Sequence, residues 1–248
     1  MFTEEQLEVM TIELLKELGY SYQTGESIGR DYSDVLLIYE LTTKLIKLNP
    51  NLSEQVINEA IRIIKNLDNN NLIKNNKQFF NYLISGISVP EYTSEGTRYH
   101  TVKLIDFDNV DNNEFLVVNQ FSIEEHSLKR PDIIVFINGI PLVVFELKSM
   151  IREDVSLEDA YNQLKGYMNV HIPSLFYYNQ ILVISDGVKA KAGTITCNYS
   201  RFTEWKKTGI NDSVEKLNTH ESLIKGMFEK NTLLKLIKNY MFEMHPLE

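Results

Sequence analysis

Two acidic residues and a lysine lie within the most apolar hairpin of the sequence, and this placement constrains the chain more than any other feature. The run RPDIIVFI occupies residues 130–137, an Asn-Gly pair marks a tight turn, and PLVVFELK follows at 141–148. Asp132, Glu146 and Lys148 therefore fall in strands that we expect to be buried. Unpaired ionised groups are costly in such a place, so the sequence predicts a compensating ligand or function, and a divalent metal ion is the simplest one.

The register of this hairpin decides whether the two acids meet. Side chains alternate along a strand, which puts Glu146 and Lys148 on one face and Phe145 on the other. With a plain two-residue turn, Asp132 would pair with Phe145 and face away from Glu146. A three-residue loop or a bulge would pair Asp132 with Glu146 instead. Pro141 cannot donate a hydrogen bond to the neighbouring strand and favours such an irregularity.

A helix predicted to follow the hairpin carries a second polar pair. Ser156 is a candidate N-cap for a helix that extends to Met168, and within it Gln163 and Tyr167 lie at i and i+4 on one face. The spacing of Pro-Asp before Glu-x-Lys resembles the PD-(D/E)XK nuclease signature. The added Gln-x3-Tyr pair resembles the QxxxY motif of the RecB-like branch of these nucleases.

The resemblance becomes narrower over a longer stretch. Between residues 104 and 205 the chain is similar to the N-terminal region of the restriction (HsdR) subunit of type I restriction-modification enzymes, in LIDFDN, FLVVNQF, RPDIIVFINGIPLVVFELKS, AYNQLKGY, IPSLFYYNQILVISDG and RFTEW. TEEQLEVMTIELLKELGY near the start and NTLLKLIKNYMFE near the end look like flanking segments of that family. The resemblance implies an α/β fold with a PD-(D/E)XK nuclease core, a mixed central sheet flanked by helices, and helical N-terminal and C-terminal additions.

Length predicts one large domain, or one domain with an appended helical part, and the resemblance implies a single nuclease domain over 1–248. Its expected parts are a mainly helical part at 1–86, the catalytic sheet and QxxxY helix at 87–210, and a helical part at 211–248 that leads toward an absent motor. Helices are predicted from a Thr3–Gln6 capping box to Gly19, and at 32–48, 53–67, about 79–84, 213–229 and 231–243, with a turn at 68–71. Strands are predicted at about 98–107, 115–121, 132–137, 141–148 and 181–185, the last two as parallel neighbours joined by a right-handed crossover through the Ser156 helix.

Composition limits the partners of the protein. The 248 residues are 43% hydrophobic, include a single cysteine and carry a formal net charge of −9. We expect a cytoplasmic protein without a disulfide or membrane contact, because neither a signal peptide nor an apolar span is recognisable. Non-specific DNA affinity comes from neutralised phosphates, so an acidic protein must bind DNA locally. A local basic rim is predicted, with ordinary solvated lysines as the alternative, from Lys129, Arg130, Lys148, Lys165, Lys189 and Lys191.

The hairpin residues suit metal-assisted phosphodiester hydrolysis. Asp132 and Glu146 supply hard oxygen ligands for Mg²⁺ or Mn²⁺, and the backbone carbonyl of Leu147 can add a third. Lys148 would orient the attacking water or hold the phosphate. The family resemblance implies these same roles, whereas the alternative is a structural acid–lysine pair at the end of a sheet.

Three further positions are candidates by resemblance. Gln163 and Tyr167 would brace Lys148 or touch DNA, although an amide and a phenol at this place are also common packing residues. In related nucleases an acid of the first helix approaches the metal, and Glu8 is the candidate because it shares a helix face with apolar residues. Plain solvation of Glu8 is the alternative, and other acids of this helix can fill the role: Glu4, Glu5 and Glu13. The histidines are scattered without ligand spacing and are expected to be structural or exposed: His100, His126, His171, His220 and His245.

The chain contains no Gly-x4-Gly-Lys-Ser/Thr segment, so we expect no Walker-type ATP site within it. The resemblance implies that ATP binds only to the full-length protein, through a translocating motor that follows the nuclease. The favoured function is a metal-dependent endonuclease that cuts double-stranded DNA non-specifically, in a complex with methyltransferase (M) and specificity (S) subunits. The alternatives are a non-cleaving docking and coupling module, or a RecB-type repair exonuclease, which would need DNA ends.

Overall fold

The computed structural model describes residues 2–67, 70–94, 96–149, 156–205 and 218–239. The helices in these ranges are α1 (Glu4–Glu17), α2 (Ile38–Leu48), α3 (Glu54–Lys65), α4 (Leu72–Ser85), α5 (Leu157–Gly166), α6 (Thr219–Met227) and α7 (Lys230–Asn239). The strands are β1 (Ser21–Thr24), β2 (Ile87–Thr93), β3 (Gly96–Val102), β4 (Phe115–Asn119), β5 (Ile123–Glu124), β6 (Leu128–Lys129), β7 (Ile133–Ile137), β8 (Ile140–Leu147), β9 (Ile181–Ser185) and β10 (Ala190–Gly193).

A six-stranded mixed sheet, in the order β1-β4-β7-β8-β9-β10, forms the centre of the fold. β1 runs parallel to β4 and β8 runs parallel to β9, while the other neighbours are antiparallel. Every residue of β7, β8 and β9 is buried, as their continuous apolar runs predict. The α/β class, the mixed sheet with flanking helices, and the parallel β8–α5–β9 unit are therefore confirmed.

Helices cover both faces of this sheet. On one face the ring of Phe145 in β8 packs against Phe228, which directly follows α6, with ring centroids 5.1 Å apart. Since side chains alternate along a strand, the neighbouring Glu146 points to the other face. α5 packs against β8 and β9, and the charge of Glu146 acts on the hydroxyl of Tyr167, the residue that follows α5.

The turn between β7 and β8 is a two-residue turn at Asn138-Gly139. Both residues have positive φ, 54° and 80°, as a type I′ turn requires. The Asn138 side chain accepts a hydrogen bond from the amide of Glu114 and donates one to the carbonyl of Leu104. A Cβ at Gly139 would lie 2.7 Å from the carbonyl oxygen of Leu37, so glycine is required both by conformation and by this close approach.

The same hairpin contains a bulge. Val135 pairs with Val143, but the next residue, Phe136, pairs with Pro141, which leaves Leu142 as an extra residue in β8. The irregularity expected near Pro141 is therefore present, in the form of a bulge combined with a two-residue turn.

Several predicted boundaries were wrong. The helix expected at 32–48 begins only at Ile38, because the side chain of Asp31 accepts hydrogen bonds from the amide and hydroxyl of Ser33 and forms a turn there. The N-terminal third is not entirely helical, since β1 joins the edge of the central sheet. The helix expected at 79–84 begins earlier, where Asn71 accepts from the amide of Lys74 and caps α4.

The strand expected at 98–107 was also misplaced. β3 ends at Val102 and pairs only with β2, in a two-stranded sheet separate from the central one. One face of this sheet buries Val89 and Val102 and packs on α3, whereas the other carries Tyr92 and Tyr99, which are exposed. A hairpin that buries one face on a helix does not need the central sheet.

The predicted caps at the start of α1 and α3 are present, and Ser156 is the residue before α5, where its amide and hydroxyl both donate to the Asp159 carboxylate. Thr3 and Gln6 form the capping box of α1, and Ser53 accepts from the amide of Val56 at the start of α3. The predicted C-terminal helices correspond to α6 and α7. Parts of the predictions at 68–71, 213–229 and 231–243 lie outside the described residues. Among the residues described, no helix is both long and apolar enough to cross a membrane.

Candidate active site

The bulge brings the two predicted acids to the same face of the sheet. Ile133 pairs with Phe145, so one step toward the open end of the hairpin places Asp132 opposite Glu146. Asp132 Oδ2 accepts a hydrogen bond of 2.6 Å from the backbone amide of Leu147. The two carboxylates therefore stand on paired strands where β7 begins and β8 ends.

Glu146 is fully buried, yet only one of its oxygens is paired. Its Oε1 accepts a hydrogen bond from Lys148 Nζ at 2.8 Å. Its Oε2 is buried and has no hydrogen-bond partner among the described residues. A carboxylate oxygen in this state is costly unless it is protonated or bound to a cation.

The electrostatics of the three side chains agree with this geometry. Burial raises the pKa of Asp132 to about 7; the Leu147 amide and Lys148 oppose this rise, and the carboxylates of Glu8 and Glu4 add to it. Burial, followed by repulsion from Asp132, raises the pKa of Glu146 to about 8. Both acids would thus hold protons near neutral pH unless a cation replaced them.

Lys148 does not fully neutralise this site. Burial lowers the pKa of its ammonium, but Glu146 and Asp132 outweigh burial and the net pKa is raised. Lys148 is therefore charged at neutral pH and balances one of the two carboxylates. A second positive charge is missing when both acids are ionised.

The donor set fits a hard divalent cation. Asp132 and Glu146 offer carboxylate oxygens, and one of these, Glu146 Oε2, is free to bind. The amide of Leu147 points toward Asp132, and in an extended strand the carbonyl of the same residue points to the same side. Within the described part of the chain no three His, Cys, Asp or Glu side chains form a metal-binding group, so the remaining ligands would be the Leu147 carbonyl and water.

Glu8 lies near the site but is held by other residues. It is buried on α1, its Oε1 accepts from the side-chain amide of Gln120 at 2.7 Å, and its Oε2 accepts from that of Asn119 at 3.1 Å. Its charge nevertheless acts on Asp132. Of the alternative acids of α1, Glu4 also contributes to the potential at Asp132 and Glu146. Plain solvation of Glu8 is therefore excluded, and its predicted role as a metal ligand stays a prediction.

Gln163 and Tyr167 are adjacent, as their spacing predicts. The Gln163 amide donates to the Tyr167 hydroxyl at 2.7 Å. Burial, followed by the charge of Glu146, raises the pKa of Tyr167 well above its usual range. A short π-helical turn, Tyr167–His171, follows α5, and such turns are frequent at functional sites. The pair thus lies beside the acids on the α5 face.

The predicted basic rim divides into free and engaged side chains. Arg130 and Lys189 are exposed, while Lys129 and Lys191 are half-buried. Lys165 is engaged, since its ammonium donates to the carbonyl of Ile195 at 2.9 Å and burial lowers its pKa. Lys165 is therefore not available as a free member of the rim, and Lys148 is paired with Glu146.

Sequence reasoning missed several residues around the site. Asn119 and Gln120, which hold Glu8, are the polar pair that ends the apolar run FLVV, and that position at the end of a buried strand was the available signal. The carbonyl of Ser185 accepts from the amide of Lys148 at 2.9 Å. Its hydroxyl lies 2.7 Å from Nδ1 of His220, which is fully buried. No local pattern distinguished His220 from the other histidines.

Comparisons with known proteins identify the class of this chain. The family model for the type I restriction enzyme R protein N terminus matches residues 1–201. The chain belongs to this family, as its motifs predicted. Residues 218–239 lie beyond the matched segment.

Individual relatives carry the same description. The chain is 35% identical to the type I restriction enzyme HindI endonuclease subunit of Haemophilus influenzae, over 97% of this chain and 24% of that protein. It is 33% identical to the type I restriction enzyme SauCOLORF180P endonuclease subunit of Staphylococcus aureus, over 52% of this chain and 14% of that protein. It is 29% identical to the EcoprrI endonuclease subunit of Escherichia coli, over 61% of this chain and 49% of that protein. The chain thus spans about a quarter of the length of the HindI subunit.

Proposed function

We propose that this chain is the metal-dependent nuclease part of a type I restriction enzyme R subunit and has a PD-(D/E)XK core of the RecB-like branch. It hydrolyses phosphodiester bonds of double-stranded DNA without reading their sequence. The observation that carries the proposal is the pairing of Asp132 with the fully buried Glu146, whose Oε2 has no partner in the described chain. Two carboxylates in this state, with only Lys148 to balance them, match the charge and ligand preference of Mg²⁺ or Mn²⁺.

The residues have distinct roles in this proposal. Asp132, Glu146 and the Leu147 carbonyl would hold the ion. When bound, such an ion lowers the pKa of an attacking water and offsets charge on the phosphate. Lys148 Nζ, which now bonds Glu146 Oε1, holds the phosphate or orients the water and stabilises the negative charge that develops. The Gln163–Tyr167 pair braces this side of the site or contacts the DNA backbone.

DNA binding rests on a small part of the surface. With a formal net charge of −9, the protein as a whole repels the phosphate backbone, so favourable contacts must be local. Of the predicted rim, Arg130 and Lys189 are exposed; Arg130 precedes the start of β7 and Lys189 follows the end of β9. Binding by so few cations is weak and falls steeply as salt increases. In the complete R subunit, an ATP-driven motor would hold DNA at the site and raise its effective concentration, in a complex with M and S subunits.

The experiment is cleavage by the complete R subunit together with its M and S subunits. Supercoiled and linear DNA are incubated with ATP and with Mg²⁺, Mn²⁺ or EDTA, and the products are mapped. Internal cuts that need a divalent ion and are lost in Asp132→Ala support the proposal. Cutting only from ends would identify an exonuclease. Translocation without cutting under every metal condition would identify a coupling module instead.

A structural measurement tests the metal site separately. Crystals of this chain soaked in Mn²⁺ should contain an anomalous peak between Asp132 and Glu146, with oxygen ligands at about 2.0 to 2.3 Å. A peak elsewhere, or none at saturating Mn²⁺ above pH 8, would contradict the assignment of these residues as ligands.

A further inference from the structure

Residues at the start of α6 form hydrogen bonds with the turn that follows β9. Asn218 Nδ2 donates to the carbonyl of Gly187 at 3.1 Å, and the amide of Thr219 donates to the carbonyl of Val188 at 3.0 Å. The Thr219 hydroxyl accepts from the amide of Ala190 at 2.8 Å. Two contacts to the turn 186–189 and one to Ala190, the first residue of β10, therefore fix this segment with the exposed Lys189 to the start of α6.

The next residue of α6 reaches deeper into the fold. His220 is fully buried; its Nδ1 lies 2.7 Å from the Ser185 hydroxyl and its Nε2 lies 3.2 Å from the Thr11 hydroxyl on α1. Burial lowers the pKa of His220 to about 4, so the ring is neutral at pH 7. Ser185 in turn donates to the carbonyl of Lys189 at 2.9 Å and accepts from the amide of Gly187 at 3.0 Å.

Ser185 also contacts the candidate active site through its backbone. Its carbonyl accepts from the amide of Lys148 at 2.9 Å, beyond the end of β8. Because Ser185 is held by His220 on one side and holds Lys148 on the other, a shift of the histidine is passed to the backbone that bears the lysine side chain. The two rings Phe145 and Phe228 also join α6 to the sheet, but they make no such polar link.

We propose that His220 is a positioning residue for Lys148 and Lys189, acting through Ser185. This inference rests on the proposed nuclease function, and it assigns a part of the active site to α6, beyond the segment that the family model matches. His220 itself touches neither the acids nor Lys148 directly. Its role is to fix the end of β9, so that Lys148 keeps its distance to Glu146 and Lys189 its place at the edge of the site.

Two substitutions at one position test this role. In His220→Asn the side-chain amide replaces Nδ1 and can keep the contact with Ser185, whereas in His220→Gln it replaces Nε2 and can keep only the contact with Thr11. Asparagine is smaller and leaves the larger cavity, so His220→Asn should be the less stable variant. A merely structural role therefore predicts that Asn is worse than Gln in every measurement. A positioning role predicts the opposite order at the site.

Hydrogen exchange of this chain gives a readout that does not depend on cleavage. We expect the Lys148 amide to exchange about tenfold faster in His220→Gln than in His220→Asn, because one buried hydrogen bond is lost. Ser185→Ala removes the contact with His220 and also those with Lys189 and Gly187, so it should raise the exchange rate of the Lys148 amide at least as much as His220→Gln. Phe228→Leu, which loosens α6 packing without touching Ser185, is the control and should change this amide only in proportion to its loss of global stability.

Cleavage by the complete R subunit complex gives the second readout. Relative to wild type, His220→Gln should lower the maximal cleavage rate about tenfold with little change in the DNA concentration for half-maximal rate, and His220→Asn should restore most of it. The proposal is overturned if amide exchange and cleavage rate both follow overall stability, with His220→Asn more impaired than His220→Gln. If wild type does not cut, the nuclease proposal fails, and the exchange order alone decides whether His220 positions Lys148.

Discussion

Two hairpins of this protein contain the same acid–base contact in opposite surroundings. In the β2–β3 hairpin, His100 Nε2 lies 2.8 Å from Glu91 Oε2, with the side chains 27% and 35% exposed. In the β7–β8 hairpin, Lys148 Nζ lies 2.8 Å from Glu146 Oε1, with the side chains 13% and 0% exposed. Distance alone therefore does not separate an ordinary surface pair from a candidate active site.

The surroundings separate them. The other oxygen of Glu91 accepts a hydrogen bond of 3.5 Å from the Ser53 hydroxyl, and the side chain is open to water, so the surface pair contributes little and needs no ligand. At Glu146 the second oxygen is buried without a partner among the described residues, and Asp132 adds a second carboxylate opposite it. A buried ion pair that keeps surplus negative charge indicates a site that binds a cation or another ligand.

The largest expected effect, on the rate of DNA cleavage, comes from removing the lysine of the buried pair. Lys148→Ala should lower DNA cleavage by the complete R subunit complex by about 10² to 10³, because one preorganised charge is lost from the transition state. Circular dichroism and Mn²⁺ binding should stay close to wild type. Near-normal cleavage by this variant would exclude Lys148 from the proposed mechanism. His100→Ala, which removes the base of the surface pair, is the matched control and should leave cleavage unchanged.

The next effect is the pH dependence of metal binding. The pKa values of Asp132 and Glu146 are raised to about 7 and about 8. A metal ion must therefore displace protons from both carboxyl groups at pH 6, but few protons at pH 8.5. We expect the Mn²⁺ dissociation constant to fall roughly tenfold per pH unit for each proton displaced. Calorimetry in buffers of different ionisation enthalpy counts these protons. A dissociation constant that does not change with pH would contradict the raised pKa values.

A smaller effect concerns the stability of the metal-free chain. Since the folded-state pKa of Asp132 is about 7 and the unfolded value is about 4, folding is favoured below that range and this contribution is lost as pH rises through 7. Asp132→Asn does not titrate, so it should raise the free energy of unfolding by about 1 to 2 kcal/mol at pH 8 and change it little at pH 4. Urea denaturation at both pH values, with EDTA present, measures the difference. A loss of stability at pH 8 would contradict the sign.

The smallest effect is expected at the surface hairpin. Glu91→Gln removes the charge that pairs with His100, and the change in unfolding free energy should be about 0.5 kcal/mol or less at pH 7, reduced further by salt. The same urea titrations measure it. A change as large as that of Asp132→Asn would mean that exposure does not explain the contrast between the two hairpins.

Much of the candidate site could be predicted from the sequence because its signals are local. The apolar runs of β7 and β8 and the Asn-Gly turn predict the hairpin, and strand alternation predicts that Glu146 and Lys148 share a face. The sequence left the register open between two arrangements. The bulge at Leu142 decided it, since the extra residue brings Asp132 opposite Glu146.

Other parts depend on contacts between distant segments and could not be predicted. β1 has four exposed residues without apolar alternation, and only its pairing with β4 makes it a strand. The separation of β2 and β3 from the central sheet follows from their packing on α3. His220 meets Ser185 and Thr11 across more than 30 and 200 residues of sequence, and no periodicity reports such a contact.

The bulge at Leu142 determines which changes of length the hairpin tolerates. A two-residue turn pairs Asp132 with Glu146 because one residue between them, Leu142, has no partner in β7. Deletion of Leu142 therefore leaves a regular hairpin in which Val135 still pairs with Val143 and Asp132 still lies opposite Glu146, so the site should persist. One residue inserted between Phe145 and Glu146 would instead place Asp132 opposite the inserted residue and turn Glu146 to the other face of the sheet. The hairpin thus tolerates the loss of its unpaired residue but not a gain of one residue beside the acid.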